Sequence, residues 1–85
     1  MSDNLPIGNN LRKRRFENSE MTQAQLAERV GITRQTIVAL EARRYAPSLE
    51  LAMKLASVFG CSVDDLFFWK DEAAAKAAYE LRGNK

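Results

Sequence analysis

Between Thr22 and Ala42 the chain reads TQAQLAERVGITRQTIVALEA, and this stretch restricts the fold more than any other part of the sequence. It holds two short helical patterns separated by one glycine. Thr22 opens the first with a capping box, its hydroxyl set to accept from the Gln25 amide while the Gln25 side chain reaches back to the Thr22 amide. Leu26, Ala27 and Val30 then share a face, which must be the buried one. Gly31 stands where a helix leaves through a left-handed residue, a conformation glycine adopts without steric cost. Ile32 follows as an apolar plug. Thr33 caps a second helix, in which Leu40 and Glu41 lie within about 60° of Ile37 at 100° per residue. Gln35, Ala39 and Ala42 lie opposite, with Thr36 and Arg43 on one flank. An ordinary solvated face carries Glu and Lys. This one is uncharged in the middle and rimmed by arginine.

The flanks supply the rest of a small core. Residues 1–8 read as a flexible arm, since Pro6 and Gly8 break any regular pattern. A first helix is expected from an N-cap at Asn9 or Asn10 to about Asn18, anchored by Leu11 and Phe16. After Pro47, Ser48 caps a helix in which Leu51, Ala52, Leu55, Ala56 and Phe59 recur at core spacing, and Gly60 ends it. Ser62 and Asp65 form a second capping box, opening a short helix expected to include Phe67, Phe68 and Trp69. The alanine-rich tail, residues 70–85, reads as helical, with acids first and Arg82 near its end in the order that suits the helix dipole. No strand pattern is visible. The expectation is an all-α chain of five compact helices plus a short C-terminal one.

With 85 residues there is room for one small domain. No apolar run approaches the roughly 18 residues of a membrane span, and the opening MSDNLPIGNN lacks the layout of a secretion signal. A cytoplasmic location is the expectation. Cys61 is the single cysteine and histidine is absent, which excludes an internal disulfide and a zinc finger. The same poverty removes most nucleophile–base and metal arrangements, so an enzyme is not expected. Neither is a cofactor or a small-molecule ligand. Residues 1–45 carry 8 Lys/Arg against 5 Asp/Glu, a balance of +3, whereas residues 46–85 carry 5 against 6, a balance of −1. Only the first half is prepared for a polyanion.

The run from Gln23 to Ala42 resembles the helix-turn-helix of the Cro/repressor (Xre) family of bacterial and phage regulators. The matching positions are Leu26, Ala27, Val30, Gly31, Ile32, Ile37 and Leu40, and YAPSLELAMKLASVFGCSVDDLF resembles the family's last two helices. The resemblance spans about residues 9–68. It implies a five-helix, lambda-repressor-like DNA-binding domain over residues 9–69, with its motif at 23–42. Such domains dock on duplex DNA as two-fold dimers, the motif's second helix lying in the major groove.

By motif position, Arg34, Gln35, Thr36 and Ala39 are implied to face bases. Arginine suits guanine O6/N7, glutamine suits adenine N6/N7, and Ala39 or the Thr36 methyl suits a thymine methyl. Gln23, Thr33, Arg43 and Arg44 are implied phosphate contacts that fix register without reading sequence. Arg15 and Glu41 stand where relatives often form an ion pair. Two departures from the family pattern are present. Its Glu-Asn-Gly-Lys/Arg run is here Glu41-Ala42-Arg43-Arg44, without the glycine. The link Glu17-Asn18-Ser19-Glu20-Met21 is one residue longer than usual and also lacks glycine.

Two functions are weighed. One is a sequence-specific regulator, a repressor, bound to a palindromic operator as a homodimer. Its dimer surface would lie at Phe67, Phe68 and Trp69, unless those three close the core and hold the tail. The other is a DNA-binding antitoxin or protein-interaction module whose tail binds a partner protein. A tail docked on its own domain favours the first.

Overall fold

Both capping boxes and all the expected threonine and serine caps form. The computed structural model describes residues 5–83, and of the last three of these the backbone alone. Six helices are present in this range: α1 (Leu11–Glu17), α2 (Gln23–Val30), α3 (Arg34–Glu41), α4 (Leu49–Phe59), α5 (Val63–Leu66) and α6 (Glu72–Gly83). The Thr22 hydroxyl accepts from the Gln25 amide at 3.0 Å and the Gln25 carbonyl oxygen accepts from the Thr22 amide at 2.9 Å. Thr33 and Ser48 accept from the Thr36 and Leu51 amides, and Ser62 and Asp65 complete the second box. Gly31 and Gly60 end α2 and α4 at φ +76° and +64°.

Leu11, Leu26, Ile37, Leu40, Leu55 and Leu66 are the large side chains withdrawn fully from water, one or two from each of α1 to α5. Burying each contributes roughly 1.5–3 kcal/mol. Ala27, 3% exposed, belongs to the same core, in which α2 and α3 lie side by side. Met21 joins this core, which the sequence reading did not anticipate. It arrives there through a turn in which Ser19 and Glu20 both take left-handed φ, 56° and 54°. For non-glycine residues that conformation costs about 1–2 kcal/mol each. The longer link lacking glycine is therefore accommodated by strain and offset by the burial of Met21.

The expected all-α architecture carries one addition. Ile7–Asn9 forms a strand, β1, antiparallel to Phe67–Trp69, β2, in the register Ile7↔Trp69, Gly8↔Phe68, Asn9↔Phe67. The Asn10 amide donates to the Leu66 carbonyl and the Lys70 amide to the Pro6 carbonyl, extending the ladder at both ends. Ile7 and Gly8 are thus structured where an arm was expected, and α5 stops four residues after it starts. Three-residue strands leave too little alternation to be seen in sequence, and their partner lies about 60 residues away. Glycine fits at position 8 because a Cβ there would stand 2.7 Å from the Phe68 ring. Residues 1–4 and 84–85, the outer parts of the expected arm and tail, lie outside the described residues.

Phe16, expected as an anchor of the first helix, is 58% exposed. Five residues at 100° place it about 140° from Leu11, so the two cannot share a face. Arg15, only about 40° from Leu11, turns inward instead.

Candidate nucleic-acid interface

Arg15 occupies the joint between α1, α2 and α3. Its Nε donates to Glu41 Oε2 at 2.7 Å and its Nη2 to Glu41 Oε1 at 2.9 Å, a two-pronged ion pair. A third donor, Nη1, reaches the Met21 carbonyl at 2.9 Å. Both side chains are about seven-eighths withdrawn from water, at 13% and 11% exposure. Gln23 Nε2 adds a donor to the same Glu41 Oε1 at 3.1 Å. The implied pair of Arg15 and Glu41 therefore exists and ties α1 to the last residue of α3, to which Gln23 also ties the first residue of α2.

With that joint fixed, α3 presents one edge to solvent. Ile37 and Leu40 are fully buried while Arg34 and Gln35, at the start of the same helix, are exposed. Thr36 is half-buried, and its hydroxyl lies 3.0 Å from the Thr33 hydroxyl, which also accepts from the Thr36 amide at 3.2 Å. Each threonine is thereby held in one rotamer with its methyl left over. Ala39, half-buried on the same side, adds a small apolar surface.

The concavity beside this edge holds about 530 Å³ and is walled by Arg12, Phe16, Glu20, Gln23, Ala24 and Arg34, with Arg15 and Glu41 behind them. It lies at the N-terminus of α2, where first-turn amides point outward without intrahelical partners. Arg12, not singled out from sequence, stands here with its guanidinium 6.0 Å from the Phe16 ring centre. Its only signal was membership in the run Arg12-Lys13-Arg14-Arg15, in which Arg12 and Lys13 are exposed and Arg14 and Arg15 half-buried. The charges are distributed accordingly. No acid occupies the first turn of α1, α2 or α3, whereas Glu50, Asp64 with Asp65, and Glu72 occupy those of α4, α5 and α6. Of these, the starts of α2 and α3 keep a partial positive charge toward solvent, as anion binding requires, whereas the first amide of α1 is taken by Asn9 Oδ1.

The remaining expected residues divide. Thr33 and Arg44 are exposed, Arg44 just past the end of α3. Arg43 is not free in the same way. It takes a left-handed φ of 62°, as the missing family glycine would, and its Nη2 donates to the Leu5 carbonyl at 2.8 Å. Phe67 packs partly buried against the core, so of the three aromatics only Phe68 and Trp69 remain exposed, at 42% and 46%. They border an apolar groove of about 340 Å³ shared with Ile7 and Asp64.

A helix pair joined at a glycine turn, and an exposed polar edge at the start of the second helix with Arg34 and Gln35 unpartnered among the described residues, define the class of helix-turn-helix domains. A sequence profile described as helix-turn-helix matches residues 11–66. The chain belongs to this family, of the Cro/repressor (Xre) type, whose members are DNA-binding transcription regulators. Among its relatives, an uncharacterized HTH-type transcriptional regulator of Archaeoglobus fulgidus is 54% identical over 52 residues, covering 61% of this chain and 74% of that protein. One of Methanocaldococcus jannaschii is 46% identical over 52 residues, covering 61% and 79%. Likeness of fold extends to the crystal structure of a Bacteroides fragilis protein, described as a candidate DNA-binding protein. It is 24% identical, with a TM-score of 0.65 over 73% of this chain and 98% of that one.

Proposed function

We propose that the protein is a homodimeric repressor in the cytoplasm that reads a palindromic operator by laying α3 in the major groove. Arg34 and Gln35 are assigned to base edges, guanine and adenine respectively, and Ala39 with the Thr36 methyl to thymine methyls. The phosphates fall to the first turn of α2 with Gln23, to Thr33 and to Arg44, with Arg12 added from the concavity. Gln23 enters this role already oriented, because one of its amide protons is committed to Glu41. The observation that carries the reading is the division of α3, whose Ile37 and Leu40 are locked inside while Arg34 and Gln35 have no partner among the described residues.

One eight-residue helix reaches only a few base pairs, so two copies are needed for a site of useful length. Phe68 and Trp69 are the surface we assign to the second copy, since two adjacent exposed aromatics are unusual on a monomer of this size. The tail α6 meets its own chain beside β2, where the two adjoin in sequence, and buries none of its described side chains. The regulator is favoured over the partner-binding module by the relatives, named as HTH-type transcriptional regulators.

Selection of binding sites from random duplex DNA tests the reading. The expected product is an inverted repeat with half-sites about one helical turn apart. Absence of any enriched sequence at low ionic strength would refute it.

A further inference from the structure

The exit of α3 is fastened to the N-terminal segment by a set of contacts that family position alone does not explain. Asn9 bridges two helices with one amide. Its Oδ1 accepts from the Leu11 amide at 3.2 Å, at the start of α1, while its Nδ2 donates to the Leu40 carbonyl at 2.8 Å, at the end of α3. Leu40 also accepts from the Arg43 amide at 3.0 Å, and Ala39 accepts from the Arg44 amide at 3.0 Å, closing the helix in a Schellman turn. Arg43 holds the left-handed position of that turn. Leu5 and Arg43 then clasp each other: the Leu5 amide donates to the Arg43 carbonyl at 2.7 Å, and Arg43 Nη2 donates to the Leu5 carbonyl at 2.8 Å. The Arg43 Nε is buried without a hydrogen-bond partner among the described residues, so the side chain is drawn inward rather than extended into solvent.

We infer that Asn9 and Arg43 are positioning residues for DNA recognition, and that residues 5–9 form a strap setting the angle at which α3 leaves the domain. This rests on the DNA-reading role given above to α3. Ile37 and Leu40 fix how deeply the helix sits, and Arg15 with Gln23 holds the Glu41 side chain at its last residue. The strap adds a separate fastening, on the backbone of the exit turn at Leu40 and Arg43, and β1 is itself anchored by its pairing with β2. Base contacts demand placement within about 0.5 Å, whereas phosphate contacts by long flexible side chains tolerate more. Loosening the strap should therefore harm discrimination more than general affinity. Arg43, assigned from sequence to a phosphate, acts here through Leu5 instead.

The test compares wild type with Asn9→Ala, Arg43→Ala and Arg43→Lys, each confirmed folded by circular dichroism at the assay temperature. Binding is measured across a salt series to the duplex that wild type selects and to a shuffled duplex of equal composition. Asn9→Ala and Arg43→Ala should lose about tenfold on the selected duplex and twofold or less on the shuffled one. The salt slope should stay unchanged, and Arg43→Lys should recover most of the loss by keeping a donor for Leu5. Hydrogen exchange on the free protein should show the Arg43 and Arg44 amides opening faster in Asn9→Ala. A slope reduced by about 0.9 in Arg43→Ala would put Arg43 on a phosphate and overturn the inference. Equal losses on both duplexes, or wild-type behaviour in folded variants, would overturn it too. A wild-type chain that prefers no duplex removes the DNA reading itself, while the exchange measurement, made without DNA, still decides whether the strap holds α3.

Discussion

Replacing Glu41 by alanine should be among the most damaging single changes in this chain, although the residue makes no proposed contact with DNA. The substitution strips two charge-assisted hydrogen bonds from Arg15, at 2.7 and 2.9 Å, and one from Gln23 at 3.1 Å. Arg15 keeps only the Met21 carbonyl, in a place where about seven-eighths of its side chain is withheld from water. Breaking a fully buried pair from one side costs about 3–5 kcal/mol. The residual exposure of both partners places this one at the lower end, near 3 kcal/mol. A domain of this length has roughly 4–13 kcal/mol of total stability, so the loss is a large share. At about 4–8 °C per kcal/mol it corresponds to a fall in Tm of about 12–24 °C. Urea unfolding followed by circular dichroism measures it. The double variant Arg15→Met with Glu41→Leu should recover most of the loss, because an apolar pair leaves no orphaned charge. A cost below about 0.5 kcal/mol for Glu41→Ala, the range of exposed ion pairs, would refute the reasoning.

Three further outcomes are expected. Arg34→Ala or Gln35→Ala should leave Tm unchanged, both side chains being exposed, and should lose about 1–3 kcal/mol of discrimination in competition binding between the selected duplex and one altered in each half-site. Arg44→Ala should weaken binding to all sequences alike and lower the salt slope by about 0.9, which a binding titration at several ionic strengths reads directly. Gly31→Ala should cost about 1–2 kcal/mol by denaturant melt through its φ of +76° alone, since nothing lies within 4 Å of the added methyl.

The helices and their ends were legible because capping boxes and left-handed glycines are local, and Thr22/Gln25, Ser62/Asp65, Gly31 and Gly60 all carry the roles that their spacing implies. Leu26, Ala27, Val30, Ile37 and Leu40 could be assigned to the core for the same reason, period 3.6 within one element. The strand pair could not. Ile7–Asn9 and Phe67–Trp69 are too short to alternate, and what joins them is a register between distant segments. Ser19, Glu20 and Arg43 were hidden differently, because sequence gives no sign that a non-glycine residue will accept a left-handed φ when a buried Met21 or a clasp on Leu5 offsets it. At the site, motif position placed Arg34, Gln35 and Arg44 on the surface but could not say that Arg43 would bend inward or that Arg12 would join the concavity. Those depend on where three helices meet.

Amide chemical-shift mapping during titration with the selected duplex tests most directly whether the start of α3 meets the bases. The largest changes should fall on Arg34, Gln35, Thr36 and Ala39, with a second group at Gln23 and Ala24 and little at Lys76 or Tyr79. Changes gathered on β2 and α6, with α3 unmoved at saturation, would contradict the account.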